Sequence, residues 1–291
     1  MIGDEFPVEA LGATCREIDN PARLLRESRR MFVAHLRFAL AAFLTVFWSS
    51  LTLLLCPFGP RRAWLITHTR WGKTVMAALG IDWEIQNPER LRNPAVFVSN
   101  HQSFLDIVLL PAMLPPEAVF VAKREIRRVP IFGIAFATSG GVMIDRRNPR
   151  GAIASIREAV AALPKDWSVV IFPEGTRSKT GELKPFKKGC IHVALATRYP
   201  IVPMAVHGVR ELTSTPVWWP RWLPRPGTLQ IAIGEPIRTD AWTPEALAAQ
   251  LADVQTAVDA ELSRARAAWS AAAEKNRPMP SHIMETHGRP E

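Results

Sequence analysis

Between Phe38 and Leu55 the chain reads "FALAAFLTVFWSSLTLLL", 18 residues without a charged side chain. As a helix this run rises about 27 Å, close to the roughly 30 Å of a bilayer's hydrocarbon core, so lipid or protein must cover it. It starts too late and is too long for a signal peptide. Arg29, Arg30 and Arg37 precede it and Arg61 and Arg62 follow it, so the charge bias that orients a span gives no direction. Three arrangements remain open. The run crosses the membrane, or it dips into one leaflet and returns through the basic, amphipathic stretch Ala63–Leu79, or it is a buried core helix.

The chain of 291 residues is long enough to bury a full core, and its 48% hydrophobic content excludes a disordered chain. A formal charge of +9 calls for an anionic partner. Ten tryptophans stand against one tyrosine, and the basic residues lie beside apolar stretches, which favours a membrane carrying anionic lipid over nucleic acid. No nucleic-acid module signature occurs. Cys15, Cys56 and Cys190 are an odd number without C-x-x-C spacing, so neither a disulfide framework nor a zinc site is indicated and a reducing, cytosol-facing location fits. The stretch "PVWWPRWLPRP" over 216–226 reads as a loop at headgroup depth, or as a packed loop on a sheet edge.

After Gly80 the pattern becomes alternating strands and helices. Short apolar runs at 95–99, 118–123, 141–145, 168–172 and 201–208 read as strands, with a later one at 228–237. Helical stretches at 104–113, 149–163 and 189–197 separate them, and Leu247, Leu251, Val254, Val258 and Leu262 form a late helical stripe. Strands this apolar imply an α/β fold with a mostly parallel sheet flanked by helices, whose site lies at the carboxyl ends of the strands. Three regions are expected: a membrane-associated helical region at 1–84, an α/β domain at 85–271, and a polar tail at 272–291.

His101 and Asp106 stand out in "VFVSNHQSFLDIVLL". Five residues along a continuous helix turn about 500°, leaving two side chains about 140° apart. They can meet if His101 sits in the strand-to-helix turn; Ser103 is then a candidate N-cap and Asp106 falls in the first helical turn. The carboxylate then accepts the Nδ1 proton and Nε2 faces outward, which makes an oriented base. The spacing also arises by chance in a chain with seven histidines. A second element lies at 169–189, where a strand ends in Glu174, Gly175, Thr176 and Arg177, followed by Lys184, Lys187 and Lys188. A guanidinium in a glycine-containing turn suits a phosphorylated substrate, and the lysines add point charge or form a solvated surface. There is no G-x-S-x-G elbow, since Ser139 lies in "ATSGG", and no metal-ligand cluster. Ser99 and Ser103 suit capping or turn roles better than nucleophilic ones. His35, His68, His192, His207, His282 and His287 have no aspartate five residues on and read as structural or surface groups.

These segments resemble the 1-acylglycerol-3-phosphate O-acyltransferase family, the glycerolipid acyltransferases, from about Trp71 to Pro236. Four motifs carry the likeness: Asn100-His101-Gln102-Ser103-Phe104-Leu105-Asp106; Lys123, Pro130, Gly133, Gly141, Asp145 and Arg146 within 121–148; Phe172 to Ser178; and Ile201 to Met204, where the family often has valine at the last position. The resemblance implies direct transfer of a fatty acyl group from acyl-ACP or acyl-CoA to the 2-hydroxyl of a lysophosphatidic acid. His101 would be the base and Asp106 would fix its tautomer. Lys123, Arg146 and Arg177 would contact the phosphate, and Asn100, Glu174, Gly175 and Thr176 would support the acceptor site, with no cofactor and no metal. It further implies a protein on the inner, cytoplasmic membrane with its active site facing the cytoplasm. Two other readings stay open: the same chemistry on another lyso-lipid such as a lyso-ornithine lipid, and a silent lipid-binding protein, against which the intact His101, Asp106, Glu174 and Arg177 count.

Overall fold

A computed structural model describes residues 21–144, 149–178, 180–213 and 223–275. The apolar runs become β2 (Val96–Ser99), β3 (Ala118–Lys123), β4 (Val142–Ile144), β5 (Ser168–Ile171), β6 (Ile201–His207) and β7 (Gly227–Ile233). With β1 (Ile81–Gln86) they form one sheet in the order β1-β7-β6-β2-β5-β3-β4. Every neighbouring pair is parallel except β6 with β7. Every residue of β2 and β5 is buried, as a strand between neighbours and beneath helices requires. Strand β1 straddles the boundary expected at 84/85. Ile81, Trp83 and Ile85 alternate with Asp82 and Glu84 because this edge strand buries only part of its surface.

The helices are α1 (Pro21–Leu55), α2 (Pro60–Leu79), α3 (Leu105–Met113), α4 (Phe132–Ser139), α5 (Pro149–Ala161), α6 (Gly189–Thr197), the short α7 (Val209–Thr213) and α8 (Leu247–Lys275). Helix α8 packs on β6 and β7, and α6 packs on β2. Its inward residues Val254, Val258 and Leu262 are fully buried, and the helix runs four residues past the expected domain end at 271. Helix α4 was not expected from the sequence. It follows a 3-10 turn at Arg124–Arg128, and Ile131 at its start holds φ 61°.

Helices α1 and α2 lie against each other, joined by a 3-10 turn at Cys56–Phe58. Side-chain hydrogen bonds join the two helices. Trp71 Nε1 donates to Thr45 Oγ1 at 3.1 Å, Trp48 Nε1 donates to Thr74 Oγ1 at 2.9 Å, and the Thr52 and Thr67 hydroxyls meet at 2.8 Å. Thr45, Trp48 and Thr52 fall three and four residues apart, on one helical face. The other face of α1 exposes Phe32, Leu36, Leu40, Phe43, Phe47 and Leu54.

Both ends of the uncharged run touch the α/β domain. The Arg37 guanidinium lies against Gly80 at the start of β1, and Cys56 Sγ lies 3.6 Å from Thr138 Oγ1 in α4. Helix α2 packs in turn on α3, and Gly72 makes this possible: a Cβ there would come within 2.7 Å of Ala112 N and 2.8 Å of Val108 O. The two-helix element is therefore seated on the domain. By length and composition, Leu25–Phe58 remains one stretch long and apolar enough to cross a membrane.

Candidate active site

The sheet order places the carboxyl end of β2 between those of β6 and β5. Asn100 and His101 follow β2, Glu174 follows β5, and Arg210 follows β6. Asn100 is buried and bonds both backbone groups of Val206, Nδ2 to the carbonyl at 2.9 Å and Oδ1 to the N–H at 2.8 Å. This continues the β2–β6 pairing through a side chain. The residue before His101 is thereby fixed to the neighbouring strand.

The structure brings His101 and Asp106 together. His101 Nδ1 lies 2.8 Å from Asp106 Oδ2, and the same oxygen accepts the backbone N–H groups of Gln102 at 2.7 Å and Ser103 at 2.9 Å. Three donors on one carboxylate oxygen fix its direction. Asp106 is buried, and its Oδ1 has no hydrogen-bond partner among the described residues. Ser103 is not the N-cap expected from the sequence; Phe104 occupies that position without a side-chain cap. Asp106 supersedes such a cap by receiving the turn's N–H groups from inside the helix, leaving the Ser103 hydroxyl only a long 3.4 Å bond from Leu105 N–H. The imidazole stacks on Phe172, with ring centroids 4.3 Å apart, and its Nε2 has no hydrogen-bond partner among the described residues.

Glu174 is buried beside this turn and uses both oxygens on backbone. Oε1 accepts His101 N–H at 2.8 Å and Oε2 accepts Lys184 N–H at 3.1 Å. Burial pushes its carboxyl above the usual range, and these two N–H groups pull in the opposite direction. Gly175 closes the turn after β5 with φ +72°, a left-handed conformation that suits glycine. Lys184 Nζ then bonds Thr176 Oγ1 at 3.1 Å and the Arg177 carbonyl at 2.7 Å, folding the loop onto itself.

Beside the turn lies a cavity of about 1160 Å³. Its polar end carries Gln102, Ser103, Thr176, Arg177, Lys184 and Arg210, while Phe38, Ala41, Ala42 and Val46 of α1 and Val75 and Leu79 of α2 line the apolar part. Among the expected phosphate contacts, Arg177 is on the wall. Lys123 is not, and its ammonium lies 3.3 Å from Glu125 Oε1. Arg146 falls outside the described residues, as do His282, His287 and most of the tryptophan-rich loop. Sequence reasoning missed Arg210, although its place just past the carboxyl end of a strand was a usable signal. It also missed the α1 wall. His68 is a structural group: it stacks on Trp64 with centroids 4.4 Å apart, and burial lowers its pKa to about 4.

An imidazole oriented by a buried carboxylate, at the strand ends of a mostly parallel sheet and beside an apolar cavity whose wall carries cations, is an arrangement chemically suited to acyl transfer. A family model described as Acyltransferase matches residues 82–207. The 1-acyl-sn-glycerol-3-phosphate acyltransferase of Limnanthes alba is 37% identical over 211 residues, 71% of this chain and 73% of that protein. The enzyme of the same name from Cocos nucifera is 41% identical over 207 residues, 69% of this chain but 65% of its own length. The crystal structure of the 1-acyl-sn-glycerophosphate acyltransferase PlsC from Thermotoga maritima aligns with a TM-score of 0.66 at 25% identity, covering 88% of this chain and all of that one. The chain belongs to the 1-acyl-sn-glycerol-3-phosphate acyltransferase family.

Proposed function

We propose that this chain moves a fatty acyl group from an acyl thioester, carried on acyl carrier protein or coenzyme A, to the 2-hydroxyl of 1-acyl-glycerol-3-phosphate, forming phosphatidic acid. The observation that carries this reading is the His101–Asp106 pair, with Nδ1 held by an oxygen that also accepts two backbone N–H groups. His101 Nε2 takes the proton of the 2-hydroxyl as that oxygen attacks the thioester carbonyl. The carbon–sulfur bond then breaks, and the departing thiolate recovers the proton from the imidazolium. Positioned general-base catalysis contributes about 10² to 10⁴ in rate, and holding the two lipids in register supplies more. Arg177 and Lys184 meet the acceptor phosphate, with Arg146 as a further contact carried over from the family pattern, whereas Lys123 lies off this wall beside Glu125. Glu174 acts from beneath, fixing the backbones of His101 and Lys184.

The same proposal places the protein on the cytoplasmic face of the inner membrane, against anionic lipid, with α1 and α2 dipping into one leaflet. The contacts at Gly80 and Thr138 support this over a perpendicular span, because they tie both ends of the uncharged run to the rest of the protein. Purified protein in mixed micelles, offered lysophosphatidic acid, a lyso-ornithine lipid and a neutral lysophospholipid with each thioester donor, tests the assignment. Lysophosphatidic acid is expected to be the preferred acceptor, and His101→Ala to abolish transfer while the circular dichroism spectrum stays unchanged. Preferential acylation of the lyso-ornithine lipid would overturn the acceptor assignment.

A further inference from the structure

Arg210 lies outside every motif by which the family was recognised, yet its side chain reaches the cavity wall shared with Arg177 and Lys184. It sits at the start of α7, three residues past β6, and it packs over the loop after β5: a Cβ on Gly181 would come 3.6 Å from its Cδ and 3.8 Å from its Nη1. That loop is held from two sides. The Gly181 carbonyl accepts Gln102 Nε2 at 3.2 Å and Arg266 Nη2 at 3.0 Å, so the platform under Arg210 is tied to both the His101 turn and α8.

Two of the nearby carboxylates are engaged elsewhere: Glu174 holds two backbone N–H groups and Glu182 pairs with Arg266 at 2.8 Å. Glu211 lies with Oε1 3.9 Å from His207 Nε2, and its buried Oε2 has no hydrogen-bond partner among the described residues. Among the described residues neither Arg210 nor Arg177 has a carboxylate within salt-bridge distance. Two guanidinium groups and one ammonium thus share the wall of one cavity, and among the described residues none of the three is in a salt bridge. A phosphate monoester carries a charge approaching about −2 at neutral pH, whereas a diester carries one fewer and has a substituent in place of a free oxygen.

We infer that Arg210 is a specificity-determining residue that reads the acceptor's terminal phosphate, selecting a monoester over a diester. Arg177 and Lys184 supply charge from the β5 loop, and Arg210 closes on the phosphate from the β6 side, where a diester substituent would have to pass. This rests on the proposed acylation of 1-acyl-glycerol-3-phosphate and identifies how that substrate is distinguished from larger lysophospholipids.

Kinetics of the full-length protein, Arg210→Gln and Arg210→Lys with lysophosphatidic acid and lysophosphatidylglycerol test it. For Arg210→Gln the KM for lysophosphatidic acid should rise about tenfold or more, the size of one charge-assisted hydrogen bond, while the KM for the thioester moves less than twofold. Lysophosphatidylglycerol should suffer a smaller penalty, so the preference between the two acceptors narrows. Arg210→Lys keeps the charge without the fork and should fall between. An unchanged acceptor preference in Arg210→Lys and Arg210→Gln, with wild type still acylating lysophosphatidic acid, would overturn the inference and leave the proposed function standing. Wild type failing to acylate lysophosphatidic acid would remove the proposed function itself. If Arg210→Gln lowers the thermal midpoint, the acceptor ratio of Arg210→Lys decides.

Discussion

Asp106→Asn isolates the charge of the carboxylate from its geometry. In a His–Asp pair joined by one hydrogen bond, an amide can turn its NH2 toward the ring and impose the wrong tautomer. Here Oδ2 also receives the N–H groups of Gln102 and Ser103 at 2.7 and 2.9 Å, so the amide oxygen is held in that place and His101 keeps its Nδ1 proton. The NH2 falls at the Oδ1 position, which is buried and has no partner among the described residues, so one unpaired group replaces another and little stability is lost on that account. What the reaction loses is the negative charge beside a forming imidazolium. Unit charges about 4 Å apart at an effective dielectric of about 20 interact by about 4 kcal/mol. With the proton half to fully transferred in the transition state, about 2 to 4 kcal/mol is lost, a fall in kcat of about 30- to 1000-fold. Thiol release under saturating acceptor and donor measures kcat, and KM for both substrates should move little. A loss below threefold in a folded variant would refute the charge argument, and a collapse of KM for the acceptor would place Asp106 in binding.

Glu174→Gln must turn an NH2 toward either His101 N–H or Lys184 N–H, so unfolding free energy should drop by about 1 to 3 kcal/mol in urea titrations. Because the folded carboxyl titrates above its ordinary 4.5 through burial, the folded state holds the proton more tightly than the unfolded one, and wild-type stability should decline as pH rises from 4.5 through the folded value; the glutamine variant should lack that slope, and matching slopes would count against the burial argument. For Gly72→Ala the gain in helix propensity is about 1 kcal/mol, but the added Cβ would meet two backbone atoms within 2.8 Å. Overpacking of about 1 to 3 kcal/mol should outweigh it, lowering Tm by several degrees, and a raised Tm would show that α2 and α3 can part freely. Removing residues 1–60 should release the protein from vesicles and also abolish transfer, since it strips a wall of the cavity and the partners of Trp71 and Thr74; a soluble, fully active fragment would refute the α1 assignment.

How legible each part was in the sequence follows from where its partners lie. Strands β2, β5 and β6 were readable because burial on both faces leaves an unbroken apolar run, and β3 fell on its expected residues Ala118–Lys123. Strand β1 was hidden because its Asp82 and Glu84 interrupt the run, although its alternation was visible in hindsight. The His101–Asp106 contact could be deduced from turn geometry within five residues. The second and third bonds to Asp106 come from backbone N–H groups, which no side-chain pattern records. Asn100 to Val206 and His101 to Glu174 span 106 and 73 residues. They depend on β2 lying between β6 and β5, an order fixed by packing of the whole sheet. The place of Arg210 past a strand end was legible, but its nearness to the loop after β5 was not, since only that order brings the residues after β6 next to those after β5.

The uncharged run shows how one composition can answer two demands. Its exposed face, with Phe43, Phe47 and Leu54, suits lipid, while Thr45, Trp48 and Thr52 on the opposite face suit the hydrogen bonds to α2. Between these faces, Phe38, Ala41, Ala42 and Val46 look into the cavity that ends at Arg177. A charge on any of the three faces would be desolvated by lipid, by protein or by an acyl chain, so the requirement for neutrality extends around the helix and erases the amphipathic stripe that distinguishes a surface helix. A lipid-facing helix that also walls a substrate cavity therefore reads, residue by residue, like a transmembrane span. What separates the two is the tether at each end, Arg37 against Gly80 and Cys56 beside Thr138. In the proposed one-leaflet placement, with both ends of a segment about 27 Å long tied to the rest of the protein, an amphiphile would pass from the leaflet along α1 toward the cations without its chain entering water.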